Sequence, residues 1–142
     1  MGMEDDSQRP GRVQSLCPCK SREIYGLCCE RYHSGKSVPE TAEQLMRARY
    51  SAYFFRLVSY LVDTTHPDSK TEGLKEELQR TIGAPKWIFL TILGASKGQA
   101  GDKAGKVEFL ADYYMNGGLQ QLHEHSRFKR FKGLWKYVDD KG

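Results

Sequence analysis

The sequence predicts an α+β fold in which a small cysteine-bearing module precedes one compact domain. All four cysteines of the 142-residue chain lie between positions 17 and 29. Up to about position 82, apolar residues recur at steps of three and four, and from Lys86 onwards the period changes to two. Helices followed by strands are typical of a domain in which helices cover one face of an antiparallel sheet.

The composition fits one compact domain with a small appendage, because 39% of the residues are hydrophobic and 28% are charged. The formal net charge of +4 is too small to indicate nucleic-acid binding by itself. No stretch approaches the roughly 18 apolar residues of a membrane span. The N-terminus lacks the basic start and apolar centre of a signal peptide. We therefore expect a cytoplasmic protein, with residues 1–14 as a disordered lead-in.

The cysteines form two pairs separated by eight residues: Cys17, Cys19, Cys28 and Cys29. Thiols stay reduced in the cytosol, where clustered cysteines favour a metal ion over disulfides. Four thiolates suit the tetrahedral coordination of Zn²⁺, so we predict a zinc knuckle over residues 15–36. Two crossed disulfides and four free thiols are the alternatives. His33 could replace one thiolate and is kept as a reserve ligand.

A long helical segment follows the cysteines. Thr41 and Gln44 form a capping box that predicts its start, with Thr41 as the N-cap. One apolar face is then predicted from Met46, Tyr50, Tyr53, Phe54, Leu57 and Leu61. The helix or helix pair must end by His66, because Pro67 disfavours helical backbone at the preceding residue. A second helix carries Leu74, Leu78 and Ile82, and it ends at Gly83 and Pro85.

Four runs after Lys86 alternate with the period of strands. They read KWIFLTILGAS, AGKVEFLADYYMN, LQQLHEHSRFKRF and LWKYVDD, and the segments KGQAGDKAG, NGG and FKG separate them. Short connections predict an antiparallel meander, and such a sheet twists and curls around the helices that it packs on. We assign this α+β domain to residues 37–142.

The cysteine segment resembles the SEC-C zinc motif, which is named for the C-terminal tail of the translocase motor SecA. The resemblance rests on CPC, Ser21, Tyr25 and the terminal Cys-Cys pair. In the usual motif glycines flank the serine, whereas this chain has Lys20 and Arg22. If the first of these positions has a positive φ, Lys20 is strained there. The resemblance implies a protein partner for the knuckle, of the chaperone or ribosome class.

A wider stretch, about residues 16–140, resembles the YchJ family of small bacterial proteins. The matching features are the cysteine spacing, LMRARYSAY, the THP turn, EHSRF and WKYVDD. The resemblance implies a cone-shaped, nuclear transport factor 2-like fold with a pocket between the helices and the curved sheet. Many members carry a second SEC-C motif after the last strand, and this sequence has none. We therefore expect no function that needs two zinc modules.

Glu124 is the first candidate in such a pocket, because it alternates with Leu122 and Phe128 on one strand face. A carboxylate among apolar neighbours could be a general acid or base with a raised pKa. Buried carboxylates are more often paired with a cation. We therefore predict an ion pair of Glu124 with Arg47 or Arg49, and Arg49 is the more natural partner.

Two further groups of residues have both a chemical and a structural interpretation. Asp63 and His66 could form a base with its orienting carboxylate, but we favour helix capping for both. His123 and His125 share one strand face and could bind a second metal ion. Without a third ligand nearby, we favour a polar, solvated face.

Residues 127–137, RFKRFKGLWKY, mix basic and aromatic side chains as single-stranded nucleic-acid sites do, although a solvated hairpin is favoured. No phosphate-binding loop or dinucleotide fingerprint is present. The sequence therefore predicts a non-catalytic, cytoplasmic zinc-binding protein that binds a protein through the knuckle or a small ligand in the pocket. The alternative is a small enzyme of the isomerase or hydrolase type that uses Glu124 or the pair Asp63 and His66.

Overall fold

The computed structural model describes residues 12–142. Of the predicted lead-in, residues 1–11 lie outside the described part. Residues 12–14 form one turn of helix instead of disordered chain. Ordered structure therefore precedes the first cysteine, and the half-buried Val13 of this turn packs against the core.

The N-terminal segment is a compact loop with little regular structure. An isolated antiparallel bridge joins Leu16 to Ile24. A 3₁₀ turn, Tyr25–Leu27, and a short helix α1, Glu30–His33, follow. Tyr25 and Tyr32 are 3% and 7% exposed and belong to the same hydrophobic core as the helices and the sheet.

Helix α2 spans Ala42–Phe54 and begins with the predicted capping box at Thr41. The chain then kinks, with Arg56 at a φ of 61°, and continues as α3, Val58–Asp63. The predicted helix pair is thus confirmed, although Phe54, placed on the apolar face by its spacing, is 45% exposed. A 3₁₀ turn, Pro67–Ser69, leads to α4, Leu74–Thr81.

Four strands form one antiparallel sheet in the order β1-β2-β3-β4, as the meander predicts. Their bounds are β1 Lys86–Lys97, β2 Ala104–Met115, β3 Gly118–Phe131 and β4 Leu134–Asp139. Asn116 and Gly117, at φ values of 55° and 77°, form the two-residue turn between β2 and β3. Positive φ at both positions matches the twist of adjacent strands, which explains why an Asn-Gly pair is found here.

One face of the sheet covers α2, and in β2 the side chains alternate between this face and the outer one. In β2 the inward positions include Val107, Phe109 and Ala111, which are 0%, 5% and 1% exposed. In β3 the register places Ser126 opposite Val107 and Glu124 opposite Phe109. Register shifts in β1 and between β3 and β4 bend the strands, so the sheet curves over the helix.

Hydrogen bonds fix the two layers at both ends of α2. At its start, the backbone N–H of Ala42 donates to Gly98 at 2.8 Å, and the indole of Trp135 donates to the carbonyl of Glu40 at 3.0 Å. Beyond α3, His66 and Tyr137 are joined by a backbone bond of 2.8 Å. The helices and the sheet thereby enclose a space between them.

Candidate metal centre and cone cavity

The four cysteines converge in the N-terminal segment. Cys17, Cys19, Cys28 and Cys29 are 2%, 0%, 9% and 1% exposed. Their sulfur atoms all lie within 4.8 Å of one another, and none forms a disulfide. The Sγ atoms of Cys19 and Cys28 are 3.6 Å apart, and those of Cys28 and Cys29 are 3.9 Å apart.

These separations fit a metal ion better than covalent pairing. A tetrahedral Zn²⁺ with Zn–S bonds of about 2.3 Å holds its sulfurs about 3.8 Å apart, whereas a disulfide holds them about 2.05 Å apart. Hydrogen bonds with Cys17 lower the pKa of Cys19 below its usual range and that of Cys28 to about 7, whereas the neighbouring thiols raise the pKa of Cys17 and Cys29. The thiolate is the form that binds a metal, so the cluster could hold an ion.

The loop between the two cysteine pairs is strained at two positions. Lys20 and Arg22 have φ values of 67° and 77°, so both lie in the left-handed region. These are the positions at which the SEC-C motif has glycine, so the condition under which Lys20 is strained is met. Between them, the Ser21 hydroxyl lies 3.0 Å from the Cys28 sulfur and accepts from the backbone of Glu23 at 3.2 Å.

Two contacts join the cysteine cluster to α2. The Cys17 sulfur lies 3.4 Å from the hydroxyl of Ser51, which is fully buried. Arg47 donates from Nη1 to the carbonyl of Cys19 at 2.7 Å and from Nε to Glu43 at 3.1 Å. Arg47 therefore binds the cysteine loop and is not the partner of Glu124.

His33, the reserve ligand, is engaged elsewhere. Its Nε2 donates to the carbonyl of Ala48 at 2.8 Å, so its Nδ1 accepts from the hydroxyl of Tyr25 at 2.6 Å. Burial lowers the pKa of His33, which favours this neutral form. Both ring nitrogens are bonded to protein groups, so His33 fixes the knuckle against α2 and has no free nitrogen with which to replace a thiolate.

The space between α2 and the sheet is open. A cavity of about 240 Å³ lies there. Its lining is mostly apolar and aromatic, with a few polar groups: Met46, Arg49, Tyr50, Tyr53, Trp87, Phe109, Ala111, Leu122, Glu124, Ser126, Phe128 and Tyr137. Both predicted pocket residues, Glu124 and Arg49, thus face the same cavity.

The predicted ion pair between these two residues is wrong. Arg49 donates from Nη1 to the carbonyl of Leu61 at 2.9 Å and to the hydroxyl of Thr64 at 2.7 Å. The carbonyls at the end of α3 lack helical partners and carry partial negative charge, which explains the direction of the guanidinium. Burial raises the pKa of Glu124, and the neighbouring Asp140 carboxyl raises it further.

Two polar atoms of the cavity residues have no partner. Among the described residues, the buried side-chain atoms without a hydrogen bond are Tyr50 Oη, Tyr60 Oη and Trp87 Nε1. Tyr50 and Trp87 line the cavity, with ring centroids 5.9 Å apart. The sequence did not identify Trp87 as a residue of the cavity. The signal that could have found it is an indole at the start of the first strand, because a buried indole N–H usually has a hydrogen-bond partner.

Asp63 and His66 do not form an acid–base pair. His66 accepts from the backbone N–H of Asp68 at 3.1 Å and is the N-cap of the turn Pro67–Ser69, so it does not bind the free carbonyls at the end of α3 as helix capping there would require. Thr64 is the C-cap of α3, and its hydroxyl donates to the carbonyl of Tyr60 at 2.7 Å. The side chain of Asp63 is exposed, and only its carbonyl is engaged, by Lys136 at 2.6 Å.

His123 and His125 do have a third potential ligand nearby, contrary to the expectation. The register of β2 and β3 places Glu108 opposite His125 on the outer face of the sheet. One carboxylate oxygen of Glu108 lies 2.7 Å from Nε2 of His123 and 3.0 Å from Nε2 of His125. All three side chains are solvent-accessible, and the three could hold an ion.

Several basic residues of the segment 127–137 are bound by protein groups. Arg127 forms a bidentate pair with Asp139, at 2.7 and 2.5 Å. Arg130 donates to the carbonyl of Asp102 at 2.7 Å and stacks on the ring of Trp135 at 4.3 Å. These contacts support the interpretation of a structural hairpin over a nucleic-acid site. No helix in residues 12–142 is long and apolar enough to cross a membrane.

Comparison with known proteins agrees with this architecture. A family model described as the middle, nuclear transport factor 2-like domain of YchJ matches residues 41–140. The chain belongs to the YchJ family. A UPF0225 protein of Geobacter sulfurreducens is 36% identical over 130 residues, covering 92% of this chain and 81% of the relative. One from Chromobacterium violaceum is 40% identical over 128 residues, covering 89% and 93%.

Two solved structures of SEC-C motif containing proteins are similar to this YchJ chain. The solution structure from Rhodopseudomonas palustris has a TM-score of 0.75 and 30% identity, covering 87% of this chain and 94% of that protein. The crystal structure from Psychrobacter arcticus has a TM-score of 0.72 and 27% identity, covering 92% and 84%. The predicted family and fold class are therefore confirmed.

Proposed function

We propose that this YchJ chain is a non-catalytic Zn²⁺-binding protein in which the ion organises the N-terminal knuckle. The observation that supports the proposal is the convergence of four buried cysteine sulfurs within 4.8 Å of one another. Thiolates are the preferred donors for Zn²⁺, and four protein ligands leave no open position for a substrate. The zinc ion is therefore structural.

The surroundings of the cluster support that role. Ser21 and Ser51 place hydroxyls 3.0 and 3.4 Å from cysteine sulfurs, where they can orient the metal ligands. Arg47 holds the cysteine loop on α2 through the carbonyl of Cys19. A zinc ion at this position cross-links a segment that has little secondary structure of its own.

Metal analysis of the reduced, purified protein tests the proposal. We expect about one tightly bound Zn²⁺ per chain, in line with structural sites in general. A Cys17→Ser, Cys29→Ser variant should lose this ion. A His123→Ala, His125→Ala variant should keep it, which separates the cysteine site from weaker binding on the outer face. A well-folded, reduced protein with near-zero zinc would contradict the proposal.

A protein partner for the knuckle, in the cytoplasm, is the second part of the proposal. The SEC-C resemblance suggests a chaperone or the ribosome, and the knuckle exposes Leu16 and Leu27 by 68% and 65%. Co-sedimentation with ribosomes and capture of purified chaperones test the two classes. Binding that a Leu16→Asp, Leu27→Asp variant reduces would support a knuckle contact, whereas equal binding by both proteins would contradict it.

The cone cavity gives a second candidate function, the binding or conversion of a small molecule. The specific observation is Glu124, which lines the cavity without an ion-pair partner among the described residues and has a raised pKa. Such a carboxyl is suited to general acid–base chemistry of the isomerase or hydrolase type. If it acts on a ligand, Glu124→Gln should abolish turnover and leave ligand binding intact. Equal turnover by both proteins would exclude Glu124 as the catalytic group.

A further inference from the structure

We infer that the cone cavity binds a small organic carboxylate whose body is about the size of a single ring. The carboxylate would face Arg49, and the rings of Tyr50 and Trp87 would form part of the wall around the ligand. This inference rests on the second candidate function, the small-molecule cavity, and adds the chemical class of the ligand. It does not depend on the zinc site.

The charge of Arg49 is the first argument for an anion. The residue is 7% exposed and lines the cavity. Within residues 12–142 it forms no ion pair with a carboxylate; its Nη1 donates to the neutral oxygens of Leu61, Thr64 and Thr65. The guanidinium also lies 4.4 Å from the ring centre of Tyr137, which offsets part of the charge. Buried cations are usually paired with an anion, so a ligand that brings a negative group would complete this environment.

The aromatic rings beside Arg49 are the second argument. Tyr50 and Trp87 line the cavity, and their ring centroids lie 5.9 Å apart. Within residues 12–142 neither the hydroxyl of Tyr50 nor the indole N–H of Trp87 has a hydrogen-bond partner, and both atoms have almost no accessible surface. The two residues therefore contribute an aromatic wall, and a carboxylate would supply the negative charge that Arg49 lacks as a partner.

The shape of the cavity limits the rest of the ligand. Its apolar wall includes Met46, Phe109, Leu122 and Phe128. The volume of about 240 Å³ is larger than the roughly 150 Å³ of an engineered cavity that binds benzene. It is smaller than the roughly 300–1,000 Å³ of pockets for drug-sized ligands. One ring, or an aliphatic chain of equal volume, together with a carboxylate fits between these limits.

The protonation state of Glu124 affects how well the cavity accepts an anionic ligand. Its carboxyl lies on the same cavity wall and is flanked by Asp140. An ionised Glu124 would repel a bound carboxylate, whereas a neutral side chain at this position can donate a hydrogen bond to it. Glu124→Gln should therefore bind a carboxylate as well as, or better than, the natural protein.

Matched probes test the inference on the complete chain. Benzoate and benzamide have the same ring and differ in charge, and their binding can be followed by titration with NMR chemical shifts. We expect benzoate to bind at least tenfold more tightly than benzamide. Arg49→Met should abolish this preference, provided that the variant folds.

A second variant avoids the structural contacts of Arg49. Leu122→Trp should fill the cavity and weaken binding of benzoate at least tenfold. Leu119→Trp is its matched control, because Leu119 lies on the same strand and is 69% exposed. Binding that survives Leu122→Trp would place the ligand outside the cavity and overturn the inference.

The remaining outcomes separate the ligand class from the cavity function. Binding of benzamide equal to or tighter than that of benzoate would overturn the carboxylate while retaining a small-molecule site. Binding of neither probe would overturn the inference of a ring-sized carboxylate. Zinc content measured on the same samples reports on the metal proposal independently of these results.

Discussion

Replacing Arg22 by glycine should stabilise the zinc knuckle. Arg22 has a φ of 77°, in the left-handed region that side chains with a Cβ adopt only with strain. That strain is about 1–2 kcal/mol per residue. Glycine removes it but loses more backbone entropy on folding, which costs about 0.5–1 kcal/mol. The difference predicts a net gain of about 0.5–1 kcal/mol in the free energy of unfolding.

Lys20 is the informative comparison, because it has the same strain and an additional contact. Its φ is 67°, and its ammonium lies 5.0 Å from the ring centre of Phe89. An exposed cation–π contact is worth about 0.5–1 kcal/mol, which is similar to the gain from the glycine. We therefore expect Lys20→Gly to change stability little. Among residues 12–142, Arg22 makes no hydrogen bond or ring contact that its replacement would remove.

Urea unfolding of the zinc-loaded protein measures the effect, and competition with a chromophoric chelator measures zinc affinity. If zinc binding and folding of the knuckle are coupled, the gain of Arg22→Gly corresponds to about two- to fivefold tighter zinc binding. Arg22→Ala is the control, because alanine keeps the Cβ and hence the strain. Equal stability of the glycine and alanine variants, or a loss on Arg22→Gly, would refute the strain argument.

Three further predictions concern charge and close packing. Arg127 lowers the pKa of Asp139 to about 2, so the stability from this pair is present above about pH 4 and lost as the pH falls towards 2; Asp139→Asn should flatten this part of the stability profile. The pKa of Glu124 is raised in the folded chain. The stability that its neutral carboxyl contributes is therefore present below the unfolded pKa and is lost as the pH rises through the folded pKa. Glu124→Gln should therefore be more stable at pH 7 in urea unfolding, and a clear loss would indicate a cation partner after all. Gly105→Ala should destabilise the chain by more than about 1 kcal/mol, measured by thermal unfolding, because its Cβ would lie much closer to backbone atoms of Gly98 than van der Waals contact allows; an unchanged midpoint would show that the two segments can separate at no cost.

The sequence was informative where one local signal decides the outcome. The cysteine spacing predicted the cluster, the Thr41 capping box predicted the start of α2, and the change of period predicted the sheet. In each case the residues that form the feature lie close together in the chain. Neighbouring residues determine such features, so tertiary packing has little opportunity to change them.

The errors arose where the outcome depends on how separate elements meet. Arg49 and Glu124 both face the cavity as their spacing predicts, but the kink at Arg56 brings the end of α3 to Arg49. The carbonyl of Leu61 then takes the place that was assigned to Glu124. In the same way, Glu108 joins the two histidines only through the register of β2 and β3. Periodicity identifies the face on which a residue lies, but it does not specify its partner across the sheet.

Removal of zinc is the remaining test, and it asks whether knuckle and cone are one folding unit. Without the ion, residues 15–36 retain two tyrosines in the common core and the hydrogen bonds of His33 to Tyr25 and Ala48. Arg47 also binds the carbonyl of Cys19, but the cysteine loop has little regular structure of its own, so chelation should unfold it. The pairing of the four consecutive strands and the packing of α2 on the sheet involve no cysteine, so the cone should remain folded.

Hydrogen exchange before and after chelation distinguishes the two possibilities. We expect protection to disappear over residues 15–36 and to persist in the strands, with lower stability in α2 where Ala48 and Ser51 lose their knuckle contacts. A Cys17→Ser, Cys19→Ser variant, which cannot hold the ion, should show the same pattern without chelator. Loss of protection throughout the sheet would mean that the shared core around Tyr25 and Tyr32 is indispensable to the cone. The zinc ion would then stabilise the whole chain and not the knuckle alone.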